Sequence, residues 1–242
     1  MSSRSPSERL DLTAPAPIPA TWGLVALTGA VHLLTGLIAW ERGQAGLFAA
    51  LVLDRSPVLR ASVGGQVASL VDAGQWWRLV SSVLLHGDLG HLGVNLVSLW
   101  VLGRLLEPLL GSVRWLGWFF LGGVGASIGS HLAGVEASDG GSGGAFALLG
   151  AAAVLGWRLR DQLDEDDAWM MGPVLWGFIA LNLVLSVVLP WIDATGHAVG
   201  LGVGLLLGAL ARRPGQVAPR GTVALWGLWL GACAVALGFW VR

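Results

Sequence analysis

The sequence has no lysine, one cysteine and little charge of either sign. All 14 basic residues are arginine, and against 15 acidic residues they leave a formal net charge of −1. So even a balance offers no basic face for nucleic acid. The lone Cys233 excludes an intrachain disulfide and a cysteine-rich metal site. Its place in the last apolar stretch gives it a packing role. Charged residues make up 12% of the chain and hydrophobic ones 55%. That is about half the charged fraction of an ordinary soluble domain, which argues against a soluble core protein. The first twenty residues are polar and proline-rich, and they lack the apolar core of a signal peptide. They read as a disordered cytosolic tail, 1–20.

What the chain does have is apolar length. Stretches of about 17 to 25 residues, enough to span a bilayer, run near 21–40, 89–106, 115–134, 142–159, 169–189, 195–211 and 222–241. The pattern predicts an all-α polytopic membrane protein with seven spanning helices. Between the first two spans, the apolar pieces of 41–82 are too short to cross and are broken by Asp54, Arg55, Pro57 and Arg60. This segment reads as a long interfacial outer loop with Trp76 and Trp77 at headgroup level. With the N-terminus inside, the inner segments hold nine arginines and the outer ones five, and the loops near Glu136 and Trp191 hold none. The excess of inner positive charge predicts a cytosolic N-terminus. Both Ser142 and His197 then follow outer loops, at one depth.

Polar residues inside such spans are costly, and by default they mark function. Here they are His86, His91 and Asn95 in one segment, Gly140-Gly141-Ser142-Gly143 at the head of another, and His197 near the start of a third. Serine is a weak nucleophile at its free pKa and needs a base within reach, for which His197 is the candidate on the same side. Ser142 also opens a helix, whose free N–H groups and positive dipole end favour a developing oxyanion. Gly140 and Gly143 leave room beside it. The plainer reading makes Ser142 an N-cap in a flexible loop. Spaced four apart, His91 and Asn95 share a helix face and can address one oxyanion, with His86 at the entrance of the segment. Interhelical polar contacts or a metal site are the alternatives. The run Gly200-x-x-x-Gly204-x-x-x-Gly208 keeps one helix face smooth for close packing. Asp193 precedes His197 by four residues, close enough to be considered as an orienting group in the manner of a triad aspartate, but it lies at the interface, so no carboxylate is placed to complete a triad. Arg104 and Glu107 are spaced to pair, Arg78 to pin the outer loop, and His32 and His131 to pack or bond between helices. The acidic run 161–167 reads as a solvated inner loop.

Taken in order, Trp77-Arg78, His86, His91, Asn95, Gly103-Arg104-Leu105-Leu106-Glu107, Gly140-Gly141-Ser142-Gly143 and His197 with Gly200 and Gly204 resemble the rhomboid family of intramembrane serine proteases. The resemblance covers about residues 76–211. It implies a rhomboid-like six-helix core at 21–211, with 212–242 adding an inner loop and one extra C-terminal transmembrane helix. It also implies a Ser142–His197 dyad without a third member, and His91 and Asn95 assisting the Ser142 backbone in the oxyanion hole. Gly200 and Gly204 would hold the two catalytic helices together. Neither metal nor organic cofactor is implied. The partners implied are transmembrane protein substrates in the lipid bilayer, and the compartment a bacterial inner membrane with the site towards its outer face. The chain departs from the family in having Phe146 where many members have tyrosine, and Gly196 where alanine is frequent. A ring at Phe146 can still pack on His197. Rival readings are a non-catalytic binder or chaperone of transmembrane segments, against which the pairing of Ser142 with His197 argues, and a small-solute transporter, against which the lack of a two-half repeat argues.

Overall fold

The computed structural model describes residues 10, 12, 16–53 and 56–211; the expected span at 222–241 and Cys233 lie outside the described residues. Helix α1 (Pro19–Glu41) is followed by an outer segment of short pieces: α2 (Leu47–Val52), α3 (Pro57–Ser62), strand β1 (Gln66–Val67), α4 (Ala68–Asp72) and α5 (Arg78–Ser81). Then come α6 (Leu89–Leu110), α7 (Ser112–Leu132), strand β2 (Ala137–Ser138), α8 (Ser142–Leu159), α9 (Glu165–Trp169), α10 (Leu175–Val188) and α11 (Ala194–Leu210). Among the described residues, four helical stretches are long and apolar enough to cross a membrane: Pro19–Glu41, Leu89–Leu110, Ser142–Leu159 and Glu165–Val188. With α7 and the shorter α11 they form the bundle. Many large apolar side chains on its outside, such as Leu132, Val187 and Leu210, are exposed, as a protein solvated by lipid requires.

Local chemistry explains most boundaries. Proline fits the first turn of α1, where its missing N–H costs nothing. Asp88 caps α6 by accepting from His91 N at 2.8 Å, and Asp164 caps α9 by accepting from Asp167 N at 2.8 Å. Between α6 and α7 the chain turns at Gly111, whose φ of 76° is open to glycine at little cost. Helix α9 runs into α10 through one wide turn, Met170–Val174, where Gly172 leaves helical geometry and Pro173 lacks an N–H to continue the ladder.

Helix α8 forms the centre. Ala147, Leu148, Ala151 and Ala152 are fully buried, and Trp115, Phe119 and Phe120 of α7 close over them. Helix α11 lies along α8 through its glycines: a Cβ at Gly200 would collide with Gly143 O, one at Gly204 with Ala147 O, and one at Gly208 would stand 3.1 Å from Ala151 O. Gly122 and Gly143 make the matching seam between α7 and α8, against Ala147 and Ala126. Lipid is as apolar as leucine, so helices in a membrane associate by such close packing instead of by escape from water.

Four expectations change. Residues 41–53 and 56–82 form short helices, turns and a strand, and β1 pairs antiparallel with β2 to tie them to the loop before Ser142. Trp76 is exposed, but Trp77 is half-buried and stacks on the Arg78 guanidinium at 4.6 Å. Part of the expected tail is ordered: Leu10 N donates to Gln162 O at 2.7 Å, and Leu12 N to the buried Asp167 carboxylate at 2.6 Å. Asp167 is thus an internal anchor in what read as a solvated run. Glu107 does not pair with Arg104. It is buried and accepts from Ala20 N, Thr21 N, Thr21 Oγ1 and Ser112 Oγ at 2.6–2.9 Å, capping the start of α1.

Candidate active site

The predicted residues gather around the start of α8. Ser142 is the first residue of α8 and is only partly buried. Gly140 before it has φ 125°, and a Cβ there would stand 2.8 Å from His91 Cε1, so the imidazole lies directly on this backbone. Gly141 N donates to His86 Nε2 at 3.5 Å, and the His86 and His91 rings meet edge to face at 5.0 Å. Asn95, almost fully buried, donates to His91 O at 3.0 Å, and its Oδ1 lies 3.6 Å from the place a Cβ on Gly141 would take. His86, His91 and Asn95 therefore converge on Gly140–Gly141, immediately before Ser142.

His197 approaches from α11. Phe146, one turn after Ser142 on α8, stacks on its imidazole with ring centroids 4.1 Å apart and planes at 19°. Gly200, one turn after His197, packs on Gly143, the residue after Ser142. The glycine seam thus brings the two helix starts together. Ser142 Oγ makes no hydrogen bond among the described residues, so contact with His197 is not closed in this state; catalytic hydrogen bonds often tighten only when substrate is bound.

Among the described residues, the Asp193 carboxylate makes no hydrogen bond to the His197 ring. Its Oδ1 accepts from Gly196 N at 2.8 Å, capping α11, and its Oδ2 accepts from Ser130 Oγ at 2.5 Å and Ser138 Oγ at 2.6 Å. It ties the end of α7, β2 and the start of α11 together. The residue on His197 Nδ1 is Ser186 of α10, at 2.7 Å. Sequence reasoning missed it, although Ser186 and Asn182 are polar residues of the fifth span and the rule that picked out His91 applies to them as well.

A second omission lies on the outer side. Asp139, three residues before Ser142, has a side chain only 2% exposed; its Oδ1 accepts from Gln66 N at 3.0 Å, and its Oδ2 lies 3.7 Å from Arg60 Nη1, beyond hydrogen-bond reach. Burial raises its carboxyl from an ordinary 3.8 to about 6, against the pull of Arg60, the Gln66 amide and Arg78. Arg78, buried, donates to Ala61 O and Gly65 O at 2.7 Å and to Gln75 Oε1 at 2.7 Å, holding the outer segment as its position suggested. Of the remaining histidines, His32 Nε2 bonds Leu51 O at 3.0 Å, and His131 Nε2 meets Asp72 Oδ1 at 3.2 Å.

The sequence model of the Rhomboid domain matches residues 73–214, a span that contains every residue of this site. Over 138 residues the chain is 32% identical to "Rhomboid protease GluP" of Bacillus subtilis, covering 57% of this chain and 26% of that protein. It is 35% identical over 173 residues to "RHOMBOID-like protein 5" of Arabidopsis thaliana, covering 68% of this chain and 54% of that one. Over 156 residues it is 31% identical to "Rhomboid-type serine protease 2" of Emericella nidulans, covering 62% of this chain and 30% of that one. The chain thus spans about a quarter to a half of these relatives.

Proposed function

The chain belongs to the rhomboid family, and from that premise we propose that it is an intramembrane serine endopeptidase hydrolysing peptide bonds in or near transmembrane segments of other membrane proteins. One observation supports the reading: His86, His91 and Asn95 converge on Gly140–Gly141 just before Ser142, and His197 stacks on Phe146 one turn after it.

In this reading Ser142 Oγ attacks the scissile carbonyl carbon as His197 takes its proton. Negative charge then collects on the former carbonyl oxygen. The N–H groups at the start of α8 stabilise that charge, with His91 and Asn95 beside them as fixed donors that need no reorganisation. The intermediate collapses as His197 returns the proton to the leaving amine. Water entering from the outer face then hydrolyses the acyl-enzyme by the same two steps, with His197 as base and then acid. Gly140 and Gly143 are small because His91 lies on one and Gly200 and Ala126 on the other.

The arginine count supports a cytosolic N-terminus and a site on the opposite face of the membrane, here read as a bacterial inner membrane. Contacts at the two ends of the bundle fit that alternation: Asp193 joins the loops before α8 and α11, whereas Leu10 meets Leu163 near the far end of α8.

A serine-directed fluorophosphonate tests the proposal. The full chain in detergent should be labelled at Ser142, and Ser142→Ala and His197→Ala should remain folded and unlabelled. Equal labelling of wild type and Ser142→Ala would overturn the assignment and favour a non-catalytic binder of transmembrane segments.

A further inference from the structure

The reading above leaves open what decides which imidazole nitrogen of His197 carries the proton. A general base for Ser142 must present a bare nitrogen, and in a neutral imidazole only one of the two is bare. The carboxylate that would ordinarily settle this, Asp193, is taken up by Gly196, Ser130 and Ser138.

We propose that Ser186 is a positioning residue that fixes the reactive tautomer of His197. Its Oγ lies 2.7 Å from the Asn182 carbonyl oxygen one turn back on α10 and 2.7 Å from His197 Nδ1. A hydroxyl has one hydrogen, and a carbonyl oxygen can only accept. Were that hydrogen directed to Nδ1, the Ser186 and Asn182 oxygens would face each other lone pair to lone pair at 2.7 Å, a repulsion with no water to relieve it, since Ser186 is 4% exposed. Directed instead to Asn182 O, it leaves an oxygen lone pair for a hydrogen on Nδ1, and both contacts become bonds. One proton arrangement therefore satisfies the whole chain Asn182 O, Ser186 Oγ, His197 Nδ1. It puts the hydrogen on Nδ1 and leaves Nε2 bare for the Ser142 proton. Phe146, stacked at 4.1 Å, sets the plane of the ring, and Ser186 sets its rotation within that plane. A neutral hydroxyl thus does the orienting work of a triad aspartate without burying a charge in the bilayer.

The inference rests on the serine protease reading, and the experiment separates the two. The fluorophosphonate labelling rate of Ser142 is measured for wild type, Ser186→Ala and Ser186→Thr in the full chain, together with ¹⁵N spectra of labelled histidine that report which His197 nitrogen bears hydrogen. Ser186→Ala should react roughly 10²-fold more slowly, the low end of what a placed base contributes, and its His197 should shift towards Nε2–H. Threonine in a helix makes the same bond to the preceding turn, so Ser186→Thr should restore both the rate and Nδ1–H. A wild-type Nε2–H tautomer, an unchanged rate in Ser186→Ala, or a slowed rate with the tautomer unchanged would each overturn the role given to Ser186. If wild type itself is not labelled, the protease reading fails, and the wild-type and Ser186→Ala tautomers still decide whether Ser186 sets the proton.

Discussion

Two regions hold Ser142 in place, and they use opposite chemistry. Towards the membrane interior, Gly143, Ala147 and Ala151 of α8 meet Gly200, Gly204 and Gly208 of α11 in a seam of small residues. On the outer side, Asp139 accepts from the Gln66 amide and faces Arg60 at 3.7 Å, while Arg78 holds the same segment through Ala61 and Gly65. Surrounded by lipid, helices gain nothing from hiding apolar surface, so contact depends on how closely backbones approach, and only the smallest residues serve. At the outer face, irregular backbone must be satisfied by specific partners, and buried polar groups supply them. The seam tolerates no added volume, and the clasp no lost partner.

The largest effect is expected from breaking the seam. In Gly204→Val the new Cβ collides with the Ala147 carbonyl, an obstacle of backbone and not of a flexible side chain. Overpacking of a tight core costs roughly 1–3 kcal/mol, occasionally more, and here relief requires α11 to move off α8 and carry His197 with it. Thermal unfolding in detergent should shift sharply downwards, and fluorophosphonate labelling should vanish, at every pH tested. A variant with wild-type stability and labelling would show that the seam is not what brings His197 to Ser142.

The clasp should give a smaller effect with a pH signature. Burial raises the Asp139 carboxyl from 3.8 to about 6 in the folded protein, so between these values the native state holds a proton that the unfolded chain has lost. Stability from this group is therefore present in full below about pH 4 and is lost as pH rises towards 6, by ~1.4 kcal/mol per pH unit at most. Asp139→Asn is neutral throughout and should lack this slope while keeping the acceptor for Gln66 N. Unfolding of wild type and variant compared from pH 4 to 7 measures the difference. Parallel curves would mean that the carboxylate is solvated, and that the clasp does not bury a charge.

The sequence was informative where a residue's cost exposed its purpose. Ser142, His197, His91 and Asn95 are expensive in a span, and the glycines of α11 repeat every four residues, so the candidate site and the seam beside it were both legible in the chain. Ser186 was hidden because its hydroxyl can satisfy itself on the preceding turn, as it does at Asn182 O, and so looks inexpensive. Asp139 and Glu107 were hidden for another reason. Their partners, Gln66 and Arg60 for one and Ala20 and Thr21 for the other, are distant in sequence and marked by no spacing rule. The folded outer segment escaped because helices of four to six residues carry too little periodicity to be seen.

The smallest effect should come from Asp72→Asn, which tests whether the outer side relies on polar contact as such or on buried polar contact. Asp72 Oδ1 lies 3.2 Å from His131 Nε2, a shorter approach than that of Asp139 to Arg60, yet the Asp72 side chain is 70% exposed. Water screens a pair so exposed, and the histidine is charged only when protonated, so the contact belongs with surface ion pairs contributing about 0–1 kcal/mol. The amide retains an oxygen that can accept from Nε2, which reduces the loss further. Asp72→Asn should therefore unfold within a degree or two of wild type and label at an unchanged rate. A loss as large as that of Asp139→Ala, which removes both oxygens from a buried site, would mean that distance rather than burial sets the strength of the clasp.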